Sequence, residues 1–181
     1  KILYYIYLAM TLLETLLLLC GGMPLFDSIV HALGTAGTGG FGVKADSIAS
    51  YSCFCQWVIT VFMLLFGVNF SCYYLLLLGQ IRSVFKDEEL RAYLGIAFCS
   101  VLLIAWNIRG MYASVGETLR HAAFQVSSIM TTTGFATTDF DLWPSFSKTI
   151  LLCLMVIGAS AGSTGGGIKV SRVLLLFKSL R

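Results

Sequence analysis

Two short glycine-centred motifs have the residue types needed to bind a dehydrated cation. Residues 129–139 read IMTTTGFATTD, and residues 35–43 read TAGTGGFGV. Setting Gly134 on Gly40 aligns a Thr-x-Gly-Phe-small core, which therefore recurs at a spacing of 94 residues. A central glycine can adopt positive φ and turn successive carbonyl oxygens toward one axis, and the preceding threonine adds a hydroxyl oxygen. Cation coordination by backbone oxygen is the chemistry that these motifs indicate.

Composition places the motifs in a membrane. Hydrophobic residues make up 57% of the 181-residue chain, charged residues 12%, and the mean hydropathy is +0.86. An ordinary soluble domain of this size is not so apolar, so the sequence predicts an all-α integral membrane protein. The six cysteines lack metal-ligand spacing and are interpreted as small core hydrophobes. Nothing in the charge distribution indicates a nucleic-acid partner.

Each motif follows a short amphipathic stretch and precedes a long apolar segment. This order is typical of a re-entrant pore loop between two membrane helices, where protein or water must satisfy the irregular backbone. The first such unit is predicted over residues 1–79. It comprises an outer helix at 2–20, a short pore helix at 27–33 capped by Asp27, and one continuous inner helix at 53–79.

A charged connector is predicted at residues 80–91, and a second unit of the same design at 92–181. Its outer helix is expected at 92–108 and its pore helix at 117–130. The uncharged run at 149–168 ends in GASAGSTGGGI, so this inner helix is predicted to be broken. A further apolar run at 170–177 follows.

Basic residues predict the orientation. If residue 1 faces the cytoplasm, eight lysines and arginines lie inside and four outside. The inside set is Lys1, Arg82, Lys86, Arg91, Lys169, Arg172, Lys178 and Arg181, and the outside set is Lys44, Arg109, Arg120 and Lys148. The outer mouth is then slightly acidic, which favours cations over anions.

Three segments carry a family resemblance. HALGTAGTGGFG, QVSSIMTTTGFATTDFDLWP and GASAGSTGGGIKVSR closely resemble the second and third repeats of TrkH-type potassium uptake proteins in the Trk/Ktr/HKT superfamily. The resemblance implies a potassium channel-like fold of four repeats, of which this chain holds two, in a bacterial inner membrane. It also implies a homodimer and a cytoplasmic nucleotide-binding regulatory subunit. Potassium would be the substrate, with no bound cofactor.

The resemblance also assigns the residues of the selectivity filter. The first set is Thr38, Gly39, Gly40 and Phe41, and the second is Thr132, Thr133, Gly134 and Phe135. The first copy departs from the threonine-rich pattern, because Gly39 stands where the second has Thr133. Both central glycines are present, which is consistent with potassium selectivity.

The glycine-rich segment after the second filter is a candidate gate. Each glycine costs a helix up to about 1 kcal/mol relative to alanine, so the segment should form a flexible loop inside the membrane. The resemblance assigns this loop the gating role. The alternative is that small residues allow close packing of helices. The candidate gate residues are Gly158, Gly162, Gly165, Gly166, Gly167 and Lys169.

Other functions fit less well. GSTGGGIKV is not a nucleotide-binding P-loop, since Ile168 separates the last glycine from Lys169. The sequence has no carboxylate pair, nucleophile and base, or metal cluster of the kind that would indicate an enzyme. A potassium-binding subunit of an ATP-driven pump and a sodium-permeable member of the same superfamily stay open as alternatives.

Four polar residues within apolar segments have two interpretations each. Glu14 and Asn69 are either functional or join helices by hydrogen bonds. His31 and His121, on the predicted pore helices, are interpreted as packing or interfacial side chains rather than ligands.

Overall fold

The computed structural model describes residues 1–179, so Arg181, assigned above to the cytoplasmic basic set, lies outside the described residues. The predicted all-α architecture is confirmed over this part of the chain, whose one β feature is an isolated bridge between Ile157 and Ile168. Its helices are α1 (Ile2–Cys20), α2 (Leu25–Ala36), α3 (Cys53–Phe66), α4 (Phe70–Leu77), α5 (Ile81–Lys86), α6 (Glu88–Ile108), α7 (Val115–Met130), a 3-10 turn (Phe140–Leu142), α8 (Ser145–Val156) and α9 (Val170–Ser179).

Both predicted outer helices form, the first with its predicted bounds and the second with an earlier start. Helices α1 and α6 are each long and apolar enough to cross a membrane. Helix α6 begins at Glu88, earlier than predicted, because the Asp87 side chain caps it by accepting a hydrogen bond from the Leu90 amide at 3.0 Å. The predicted connector therefore contains α5 and the first turn of α6.

The prediction of one continuous inner helix at 53–79 is wrong. Helix α3 ends at Phe66, helix α4 starts at Phe70, and the two are bent by 90°. Gly67 follows the last residue of α3, and the Asn69 side chain caps α4 by accepting the Ser71 amide at 2.9 Å. The Asn69 side chain therefore starts a new helix.

The pore helices are longer than predicted. Helix α2 has Pro24, not Asp27, at its N-cap, and the Asp27 carboxylate instead accepts a hydrogen bond from the Tyr51 hydroxyl at 2.7 Å. Helix α7 is capped by Ser114, which accepts the Glu117 amide at 3.1 Å. One residue separates the end of each helix from a predicted filter.

The break in the second inner helix is confirmed. Helix α8 ends at Val156, residues 157–169 are not helical, and α9 starts at Val170. We call residues 157–169 the glycine loop. Two apolar clusters support the site, one around α1 to α3 and one around α6 to α8. Phe124 and Phe135 belong to the first cluster although they come from the second unit, so the units share a core.

Candidate functional site

We call residues 38–41 the first loop and residues 132–135 the second loop. Both loops leave their pore helices along the same backbone path. Three amides of each unit bond back to the end of the pore helix and correspond under the 94-residue offset, and the second unit has a fourth such bond, from Gly134 N to Ser128 O at 3.4 Å. The pairs are Gly37 N to Leu33 O (2.9 Å) with Thr131 N to Ser127 O (3.0 Å), Thr38 N to Thr35 O (3.2 Å) with Thr132 N to Ile129 O (3.0 Å), and Gly39 N to Gly34 O (2.7 Å) with Thr133 N to Ser128 O (2.9 Å). The sequence repeat is therefore also a structural repeat.

Both loops contain left-handed backbone at the same two positions. The threonines that open the loops, Thr38 and Thr132, have φ of 50° and 59°. The central glycines, Gly40 and Gly134, have φ of 71° and 91°. Positive φ is uncommon for a threonine and costs energy unless the surroundings impose it, and such backbone is concentrated at functional sites.

The structure brings the two predicted filters into contact. An added Cβ at Gly40 would lie 2.1 Å from the Thr133 carbonyl oxygen, and one at Gly134 would lie 3.9 Å from the Gly40 Cα. No side chain separates the loops at this point, because both central residues are glycine. The two backbones therefore lie side by side at this point.

The second loop has side-chain anchors. The Ser128 hydroxyl donates to the Phe135 carbonyl at 2.5 Å, and the Thr131 and Thr133 hydroxyls lie 2.8 Å apart. All three of these polar side chains are buried. Together they hold the second loop to the end of α7.

The phenylalanines of the two loops have different surroundings. The Phe135 side chain is 0% exposed, and its ring centroid lies 5.6 Å from that of His31 on α2. Phe41 is 82% exposed in this chain. His31 also bonds through Nδ1 to the Asp27 carbonyl oxygen at 2.6 Å, which supports its interpretation as a packing residue.

The segments after the loops bond to each other. The Ile48 amide donates to the Ala136 carbonyl at 3.1 Å, and the Ala136 amide donates to the Ser47 hydroxyl at 3.2 Å. Nearby, burial and the Asp27 carboxylate raise the pKa of Tyr51, which stays a neutral hydrogen-bond donor. This network fixes the outer ends of both loops relative to one another.

The glycine loop lies against the openings of both predicted filters. The Gly166 amide donates to the Thr132 hydroxyl at 2.7 Å, and the Thr38 hydroxyl donates to the Thr164 carbonyl at 3.3 Å. The Lys169 ammonium donates to the Gly165 carbonyl. An added Cβ at Gly165 would lie 3.0 Å from the Thr131 carbonyl oxygen, so small residues allow this close approach.

The two ends of the glycine loop are hydrogen-bonded to each other, and the loop packs on the break between α3 and α4. At the ends, the Gly158 amide donates to the Ile168 carbonyl at 2.9 Å. The break leaves the carbonyls of Phe66 and Gly67 available, and they accept the amides of Thr164 at 3.3 Å and Ser160 at 3.0 Å. Sequence reasoning missed this docking site, although Gly67 followed by Asn69 was a signal for a helix end.

The remaining polar candidates divide into two kinds. His121 stacks on Tyr112 at 4.8 Å between ring centroids and bonds to the Thr137 hydroxyl at 2.9 Å, as expected of a packing residue. Glu14 is fully buried, and neither carboxyl oxygen has a hydrogen-bond partner among the described residues. The same part of the chain has no cluster of three or more residues suited to hold a transition metal.

Comparison with known proteins yields one family. The model of the TrkH family, described as a cation transport protein, matches residues 1–181. The Trk system potassium uptake protein TrkH of Salmonella typhimurium is 40% identical, over 98% of this chain and 38% of its own length. The Trk system potassium uptake protein TrkG of Escherichia coli K12 is 38% identical, over 87% of this chain and 33% of its own.

A solved structure has the same fold. The crystal structure of the potassium transporter TrkH from Vibrio parahaemolyticus superposes with a TM-score of 0.90 at 36% identity, over 98% of this chain and 39% of that one. The chain thus spans about two fifths of the length of the relatives that it matches.

Proposed function

Because the chain belongs to the TrkH family of cation transport proteins, we propose that it forms part of a potassium uptake pathway lined by backbone carbonyls. The chain is an integral membrane protein, and its relatives are bacterial potassium uptake proteins, so a bacterial inner membrane suits it. In this proposal the first and second loops supply two sides of a selectivity filter. Potassium is the substrate.

The observation that carries the proposal is the pair of loops with one backbone path. Left-handed backbone at Thr38 and Gly40 is repeated at Thr132 and Gly134, so the two loops turn at equivalent positions. The loops touch at Gly40, where the Thr133 carbonyl oxygen approaches the Gly40 backbone, and we expect the carbonyls of both loops to face one ion. Such rings of carbonyls replace the hydration shell of potassium.

The pore helices add an electrostatic contribution. Helix α2 ends at Ala36 and helix α7 at Met130, each with one residue between the helix end and its loop. The carbonyl end of a helix carries a partial negative charge, which stabilises a cation nearby. Two such helix ends at one site favour a cation over an anion without any carboxylate in the filter.

The glycine loop is the proposed gate. The glycine loop contacts the first threonine of the first and second loops, through Thr164 and Gly166 respectively. It therefore lies on the path that an ion would take from the filter toward the end of the pore where α9 lies. The loop backbone can change conformation with little side-chain hindrance because five of its residues are glycine: Gly158, Gly162, Gly165, Gly166 and Gly167. Lys169 holds one side of the loop through the Gly165 carbonyl. Dimerisation and a nucleotide-binding regulatory subunit, expected from the resemblance, stay predictions.

Substitution of the central glycines tests the filter. We expect Gly40→Ser and Gly134→Ser, made separately in the full-length protein, to lower the potassium-to-sodium flux ratio by about tenfold, since left-handed backbone with a side chain costs roughly 1–3 kcal/mol. The measurement is ion flux into reconstituted lipid vesicles. Gly110→Ser is the matched control, because an added Cβ there meets nothing within 4 Å and its φ is not left-handed. Unchanged selectivity in both filter variants would remove these loops from the ion path.

A further inference from the structure

We propose that Glu89, on the first turn of α6, is a positioning residue that holds the glycine loop against the filters. The proposal rests on the proposed function of that loop as a gate. Glu89 lies in the segment that the sequence presents only as a charged connector.

One carboxylate oxygen bridges the two ends of the glycine loop. Glu89 Oε1 accepts the Ala161 amide at 2.6 Å and the Ser171 amide at 3.2 Å. Ala161 lies near the start of the loop, and Ser171 lies just after its end, in the first turn of α9. Hydrogen bonds to an ionised acceptor are about twice as strong as neutral ones. The side chain is half-buried, which limits competition from water.

The bridge acts on the segment that touches the filters. Thr164 and Gly166, which bond to the two filter threonines, lie between the bridged amides. Lys169, whose ammonium donates to the Gly165 carbonyl, lies in the same segment. A glycine-rich backbone loses much conformational entropy when it is held in one conformation. Removing the bridge should therefore raise the fraction of molecules in which the glycine loop is detached from the filters.

The neighbouring Glu88 provides a control of equal charge. Its carboxylate pairs with Lys178 on α9, and the two side chains are 67% and 62% exposed. An exposed pair of this kind contributes little to stability. Glu88 has no hydrogen bond to the glycine loop among the described residues.

The experiment compares Glu89→Ala, Glu89→Gln and Glu88→Ala in the full-length protein. Rubidium uptake into reconstituted vesicles gives basal flux, and hydrogen exchange gives the exposure of amides 157–171. We expect Glu89→Ala to raise basal flux and loop exchange by about tenfold, since loss of a charged hydrogen-bond acceptor typically changes an equilibrium by that factor. Glu89→Gln retains an oxygen acceptor and should show a smaller rise, and Glu88→Ala should match the unmodified protein.

The outcomes separate this proposal from the gate and filter proposals. Equal flux and equal exchange in Glu89→Ala and Glu88→Ala would overturn the positioning role. Faster loop exchange in Glu89→Ala without a rise in flux would support the positioning role and contradict the gate. If Glu89→Ala does not fold, the comparison is made between Glu89→Gln and Glu88→Gln. We then expect the loop amides to exchange faster in Glu89→Gln, and equal exchange rates in the two variants would overturn the proposal. The potassium-to-sodium flux ratio should be unchanged in all of these variants, because none alters a filter residue.

Discussion

The first and second loops share a backbone path but are held in place differently. The second loop is tied down by the Ser128 hydroxyl, whereas the equivalent position of the first unit is Gly34 and has no side chain to donate. The phenylalanine of the second loop is buried, and that of the first is exposed in this chain. The bonds from loop amides to the helix end are common to both units, whereas the serine anchor belongs to the second unit alone.

The difference has a steric reason. An added Cβ at Gly34 would lie 3.1 Å from Cζ of Phe135, so a serine at this position would press on that ring. The first unit lacks the serine anchor and instead accepts the phenylalanine of the second loop into its core. The comparison teaches that the second loop is positioned partly by its own pore helix and partly by the pore helix of the first unit.

Truncation of Phe135 should give the largest effect on this arrangement. The ring is fully buried, so we expect Phe135→Ala to lower the free energy of unfolding by about 3–5 kcal/mol. The measurement is thermal inactivation in detergent, scored by retention of folded protein. A stability equal to that of the unmodified protein would show that the ring does not support the filter.

Truncation of Phe41 sharpens the same comparison. The four-repeat architecture that the resemblance implies would place the pore helix of a preceding unit beside Phe41, as α2 lies beside Phe135. We therefore expect Phe41→Ala to destabilise the full-length protein about as much as Phe135→Ala does. Stability unaffected by Phe41→Ala would break the equivalence of the two loops.

Loss of the serine anchor should have a smaller effect. Ser128→Ala removes the bond to the Phe135 carbonyl and should lower stability by roughly 0.5–1.5 kcal/mol, the usual net contribution of one hydrogen bond. Ser127→Ala is the matched control, because that buried hydroxyl donates within its own helix, to the Phe124 carbonyl at 2.8 Å. Equal stability of the two variants would mean that the anchor contributes nothing beyond local helix bonding.

Much of the fold could be predicted from apolar runs and the repeated motif. Helix α1 has its predicted bounds, and the break in the second inner helix follows from the glycine content of residues 158–167. Setting Gly134 on Gly40 predicted two equivalent loops, and their matching hydrogen bonds have that offset. Local composition and spacing suffice for these features because each depends on residues close in sequence.

Features that depend on distant contacts could not be predicted in this way. The bend after Phe66 lies inside an uncharged run, and its freed carbonyls find partners almost a hundred residues later in the glycine loop. The burial of Phe135 depends on the absence of a side chain at Gly34 in the other unit. The contacts of Glu89 likewise link a helix start to a loop that hydropathy cannot place.

Anomalous X-ray scattering from rubidium tests the central claim most directly. Rubidium resembles potassium in charge and size and would replace it in crystals of the full-length protein. The account predicts anomalous density beside the carbonyl oxygens of residues 38–40 and 132–134, where the backbones of Gly40 and Thr133 meet. Density elsewhere in the protein, with none at these two loops in a preparation that transports rubidium, would contradict it.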